Sequence, residues 1–161
     1  MRRFVATVYR LDLSLQVLAG LGLAFMILMT LTDIIMRTLG RPIVGSVELV
    51  CFSGAIVIGF AIPYSSRMQV HIFVDFVIKR LSPRSGAVLR SFTVSVGLLL
   101  FLLMGYNFIE YSLDLMRTGE VSAGLKIPYY PITFGLAASC LLESLTLFCQ
   151  LWGILRGGKN E

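Results

Sequence analysis

Four long apolar runs fill most of this chain, and they decide what it can fold into. They read Leu13–Met36, Val47–Ser66, Phe92–Ser112 and Tyr130–Leu155. A bilayer core takes about 20 consecutive, mostly apolar residues in helical form. Each run is near or above that length. The rest is a tail at either end and three connections, too little for a soluble domain. The expectation is an all-α integral membrane protein: four transmembrane helices in a single membrane domain over residues 1–161.

Composition agrees. The chain is 57% hydrophobic and only 14% charged, with mean hydropathy +0.84, on the membrane side of soluble averages. The net charge of +5 does not call for nucleic acid, because basic residues in a membrane protein mainly set topology. In a four-span arrangement Arg2, Arg3, Arg10, Arg67, Lys79, Arg80, Arg84, Arg90, Arg156 and Lys159 fall on one side. Arg37, Arg41, Arg117 and Lys126 fall on the other, a ratio of ten to four. The positive-inside rule then puts both termini in the cytoplasm.

Arg2 and Arg3 before an apolar run invite a targeting-signal reading. The run is too long for a signal-peptide core, and no clear small-residue cleavage site follows it. A retained first span with a basic cytoplasmic tail is the better reading. Cys51, Cys140 and Cys149 all fall inside spans and form no CxxC pair. They read as small apolar core residues rather than metal or redox groups.

The first connection, 38–46, holds Gly40, Pro42 and Gly45, so spans one and two should be antiparallel neighbours. The third runs from Arg117 to Pro128 and ends in tyrosines between prolines. Such half-wet aromatic rings suit the membrane–water boundary. The second connection is unusual. In residues 70–81, His71, Asp75 and Lys79 recur every four residues among Val, Ile, Phe and Leu. That spacing puts them on one helical face. The segment is too short to span, and the pattern predicts an amphipathic helix lying in the cytoplasmic interface.

Charged groups within spans are costly and often functional. Asp33 and Arg37 are spaced to pair at the outer end of span one. Glu48, at the outer start of span two, is placed to compete for Arg37 or Arg41. The simpler reading of these groups is a salt-bridged helix corner. Glu110, near the end of span three, should snorkel to water. Glu143 falls near the middle of span four, with Ser139, Ser144 and Thr146 around it and no counter-ion among them. It reads either as a protonated carboxyl hydrogen-bonded between helices or as a proton or cation site. His71 is the only histidine, so a bis-histidine haem anchor cannot be built from this chain alone. No catalytic triad, phosphate loop, metal cluster or cofactor motif is present.

The order of these features resembles a family. Asp33-Ile-Ile-Met-Arg37, then Pro42-Ile43, then Glu48-Leu49 is similar to the first loop region of the small, DctQ-like membrane subunit of tripartite ATP-independent periplasmic (TRAP) transporters. Gly59-Phe-Ala-Ile-Pro-Tyr-Ser-Ser-Arg67, followed by His71-Ile-Phe-Val-Asp75, resembles that family's end of span two. Ser122-Ala-Gly-Leu-Lys-Ile-Pro128 resembles its entry into span four. Ser46-Val47 and Tyr129-Tyr130 stand where the family commonly has tryptophan.

The resemblance implies a non-catalytic scaffold subunit in a bacterial or archaeal cytoplasmic membrane. Its partners would be a large multispan membrane subunit, a periplasmic substrate-binding protein and membrane lipids. The complex would import an organic acid on a sodium gradient. Asp33, Arg37, Glu48, Arg67, His71, Asp75 and Glu143 become candidate structural or subunit contacts. Arg41, Glu120 and Lys126 become candidates for docking the binding protein. The alternatives are an autonomous proton-coupled transporter using Glu143, and a redox-enzyme membrane anchor.

Overall fold

A computed structural model describes residues 2–67 and 83–155. They form four long helices: α1 (Arg2–Thr38), α2 (Ser46–Arg67), α3 (Pro83–Thr118) and α4 (Tyr130–Leu155). All four are long and apolar enough to cross a membrane. At 1.5 Å per residue α2 is about 33 Å long and α4 about 39 Å, enough to cross a hydrocarbon core of about 30 Å. The interfacial helix expected over 70–81, with His71, Asp75 and Lys79, lies outside the described residues.

α2 and α4 begin and end within a residue of their apolar runs. α1 and α3 run further. α1 starts at Arg2 rather than Leu13, and α3 spans Pro83–Thr118 rather than 92–112. The residues counted as an N-terminal tail are therefore helical from Arg2 onward. Helix does not stop where hydropathy falls, because its backbone bonds form equally well in polar sequence. Proline at the first position of α3 gives up a backbone donor that a helix start leaves unpaired anyway.

α4 holds the bundle together. It packs against α3 on one side and α2 on the other, and α2 in turn packs against α1. α1 meets α4 only briefly, and α3 makes its helix contacts with α4. Glycines let the helices approach. A Cβ on Gly22 would sit 3.0 Å from Val57, and one on Gly105 would sit 3.0 Å from Leu141. Small residues serve this purpose in membrane bundles, where close packing replaces hydrophobic drive.

The inward face of α1 is a stripe: Val8, Asp12, Gln16, Ala19, Gly22, Met26, Met29, Asp33 and Met36 are among its less exposed positions. The steps of three and four between most of them are those of one helical face. The outward faces of α1 and α3 are almost continuous exposed Leu, Ile, Val and Phe, as a lipid-facing surface requires.

Candidate functional site

Polar side chains gather at two levels of the bundle. One level, called outer after the topology expected from the basic residues, begins with Asp33 on the last turns of α1. Its Oδ2 accepts from Arg37 Nε at 2.8 Å, as the i, i+4 spacing predicted. Its Oδ1 accepts from the backbone N–H of Ile43 at 3.1 Å. One carboxylate thus ties the end of α1 to the connection leading into α2. Gly40 and Gly45 bracket that connection at φ 75° and 78°, a left-handed conformation that suits glycine.

Glu48 takes a different partner from the one its position suggested. It bonds neither Arg37 nor Arg41. Its Oε2 accepts from Ser122 Oγ at 2.7 Å and from Leu125 N at 2.9 Å, while Oε1 accepts from Gly124 N at 2.6 Å. Three donors around two oxygens are the pattern of an ionised carboxylate. The loop is shaped to supply them. Ser122 N bonds Ile127 O, Lys126 N bonds Ser122 O, and Ile127 N bonds Ser122 Oγ. Val121 and Pro128 form an isolated bridge, and Lys126 stands at φ 54° to close the turn. Gly124 comes so close that a Cβ there would lie 2.9 Å from Glu48 Oε1. A Cβ on Gly45 would overlap Leu125, so the two outer loops also touch. Arg41, Glu120 and Lys126 are exposed on this same outer end.

The inner level lies between α1, α2 and α4. Asp12 and Thr146 are fully buried, and Glu143 is 1% exposed. Thr146 Oγ1 points at both Asp12 oxygens, at 3.3 and 3.2 Å. The Ser66 hydroxyl faces the Glu143 carboxyl, and Asp12 lies within electrostatic reach of it. Gln150 Nε2 donates to Ser66 O at 3.2 Å, giving the last turn of α2 a donor from α4. Glu143 is therefore central in its own helix but level with the end of α2. Glu143 Oε2 and Gln16 Oε1 are buried without a hydrogen-bond partner among the described residues.

Of the remaining candidates, Arg67 closes α2, and its side chain lies outside the described residues. Glu110 is exposed on α3 and accepts from Tyr106 OH at 2.6 Å. No group of three or more His, Cys, Asp or Glu side chains able to hold a metal occurs among the described residues. Sequence reasoning missed Asp12 and Gln16, and named Ser122 only as part of a motif, without a role. The first two carried a signal, since they stand four residues apart on the stripe that continues through Ala19 and Gly22.

The outer level is a hydrogen-bonded frame with charges displayed on its rim. The inner level is a closed polar layer inside the helix bundle. A family model described as tripartite ATP-independent periplasmic transporters, DctQ component, matches residues 26–157. The matched stretch takes in Asp33, Glu48, the Ser122–Ile127 loop and Glu143, and begins after Asp12 and Gln16. No curated protein and no solved structure matches the chain.

Proposed function

Because the chain belongs to the DctQ family of tripartite ATP-independent periplasmic transporters, we propose that it is the small scaffold subunit of a sodium-coupled importer of an organic acid. In this reading a large multispan membrane subunit carries the substrate, and a periplasmic binding protein delivers it. The small subunit sits in the cytoplasmic membrane with both termini inside, enlarging the fixed part against which the large subunit works.

The observation that carries this reading is the Glu48 frame. A carrier must open and close, and its gates are drawn from loosely held elements. Here the outer loop is fastened to α2 through three hydrogen bonds to one carboxylate. It is pressed against the first connection through Leu125. That construction suits a rigid platform with exposed charges for a partner. The apolar outward faces of α1 and α3 suit lipid and a larger membrane subunit.

Co-expression tests the proposal. Affinity purification of the small chain should retain the multispan subunit encoded with it, and the pair should bind the periplasmic protein. A chain that purifies alone as a homodimer, with proton-coupled uptake of its own, would displace the scaffold reading in favour of an autonomous carrier.

A further inference from the structure

The inner polar layer contains two oxygens that ought not to be left as they are. Glu143 Oε2 and Gln16 Oε1 are both buried, both hydrogen-bond acceptors, and both unpartnered among the described residues. Buried acceptors without donors are rare because water is lost and nothing replaces it.

Their relative position follows from the helix register. α1 and α4 are antiparallel, and Asp12 meets Thr146 across the seam. One turn outward on α1 is Gln16, four residues on. One turn outward on α4 is Glu143, three residues back. Residues three and four apart share a helical face, so Gln16 and Glu143 form the next layer of that seam. α2 contributes Ser66, whose hydroxyl faces Glu143. Pro63, one turn earlier in α2, is fully buried.

We propose that Glu143 is a proton-binding site: it is held as a neutral carboxylic acid whose Oε2–H donates to Gln16 Oε1. One proton then satisfies both unpartnered oxygens. A neutral carboxyl has one donor and keeps acceptor capacity for Ser66. It also removes repulsion between two carboxylates in one buried seam, since Asp12 lies in reach one turn inward. Arg10, two residues before Asp12, is on the exposed side of α1. On α4, Cys140 and Cys149 are the other titratable groups coupled to this pair, and both are free thiols. This inference does not depend on the scaffold reading.

Infrared difference spectroscopy on the full chain in lipid nanodiscs at neutral pH provides the test. The wild type should show a neutral carboxyl C=O band that disappears in Glu143→Gln and shifts in Gln16→Leu. The Glu143→Gln amide can still donate to Gln16, so this variant should melt with the wild type, whereas Glu143→Ala and Gln16→Leu should melt lower. Replacing choline by sodium should leave the wild-type melting temperature unchanged. Absence of the band would overturn the proposal, and so would its survival in Glu143→Gln, which would put the proton elsewhere. Destabilisation of Glu143→Gln to the level of Glu143→Ala would show an ionised carboxylate paired with a cation. Specific stabilisation by sodium would make the site a metal site instead.

Discussion

The Ser139 hydroxyl donates a hydrogen bond to the Gly59 carbonyl across the α2–α4 interface. That carbonyl is the one Pro63 leaves without its helical donor, because proline has no N–H to return to the residue four before it. A proline inside a membrane helix is tolerated when a neighbour satisfies the freed carbonyl. Here the neighbour is a serine on α4, 2% exposed. Sequence and packing are therefore coupled: a break in α2 is repaired from α4.

This pairing predicts a thermodynamic coupling. Ser139→Ala should destabilise the chain by about 0.6 kcal/mol, the average for an interhelical hydrogen bond in a membrane bundle. In a Pro63→Ala background the helix regains its own donor, and the effect of Ser139→Ala should shrink toward zero. Equilibrium unfolding of the four chains of this double-mutant cycle measures the coupling. Equal effects in both backgrounds would mean that the serine does not act through the freed carbonyl.

The Glu48 frame predicts how the outer loop responds to loss of its centre. Glu48→Gln replaces an acceptor oxygen by an amide nitrogen that faces donors. Amide hydrogen exchange should accelerate at Gly124 and Leu125, whose N–H groups bond this carboxylate. Ser122→Ala should accelerate Ile127 as well, because Ser122 Oγ accepts from that backbone N–H. Exchange within the middle of α4 should stay as in the wild type. Exchange unchanged throughout the loop in Glu48→Gln would show that the loop holds its shape without the carboxylate.

The contrast between Asp33 and Glu48 shows what a sequence reveals and what it conceals. The Asp33–Arg37 pair is local, i to i+4, and periodicity alone placed it. Glu48 draws its donors from residues 122–125, on the far side of two helices, and nothing in the local sequence points there. Hydropathy placed all four helices, because burial in lipid demands long apolar runs. It set the ends of α2 and α4 well and those of α1 and α3 poorly, since helix continues into polar sequence when a neighbour satisfies the side chains. Asp12 is the clearest instance. Adjacent to an apolar run and two residues after Arg10, it reads as tail. It is buried because Thr146, more than 130 positions away, offers a hydroxyl to it. Glu143 stands out in the sequence as an acidic residue in mid-span, but its level against the end of α2 follows only from the packing.

In the proposed complex, the exposed charges around the outer frame are the contacts for the binding protein. Charge reversal at Arg41, Glu120 or Lys126 should slow association with the periplasmic partner and reduce its salt dependence, as rim charges act mainly on encounter rates. Fold and uptake at saturating binding protein should change little, since all three side chains are exposed. Surface-binding kinetics at two ionic strengths measures this. Identical association rates for all three reversals would remove these residues from the docking surface.

The chain should move no substrate by itself. Four helices could make a carrier by dimerising, so size does not settle the matter. The stronger argument is the chemistry inside the bundle. Carrier sites near the bilayer midplane use broken helices and polar groups to replace a substrate's water shell. The one proline inside α2 is Pro63, close to that helix's inner end, and the carbonyl it frees is already taken by Ser139. The buried acidic groups of the inner level are Asp12 and Glu143. An anionic organic acid entering that layer would meet the Asp12 carboxylate, a group of its own sign, in a low-dielectric seam, an unfavourable encounter. Reconstituted alone with a sodium gradient, an organic acid and the binding protein, the chain should show no uptake above empty vesicles. Adding the large membrane subunit should restore uptake. Gradient-driven uptake by the small chain alone would show that the carboxyl layer is a transport site after all.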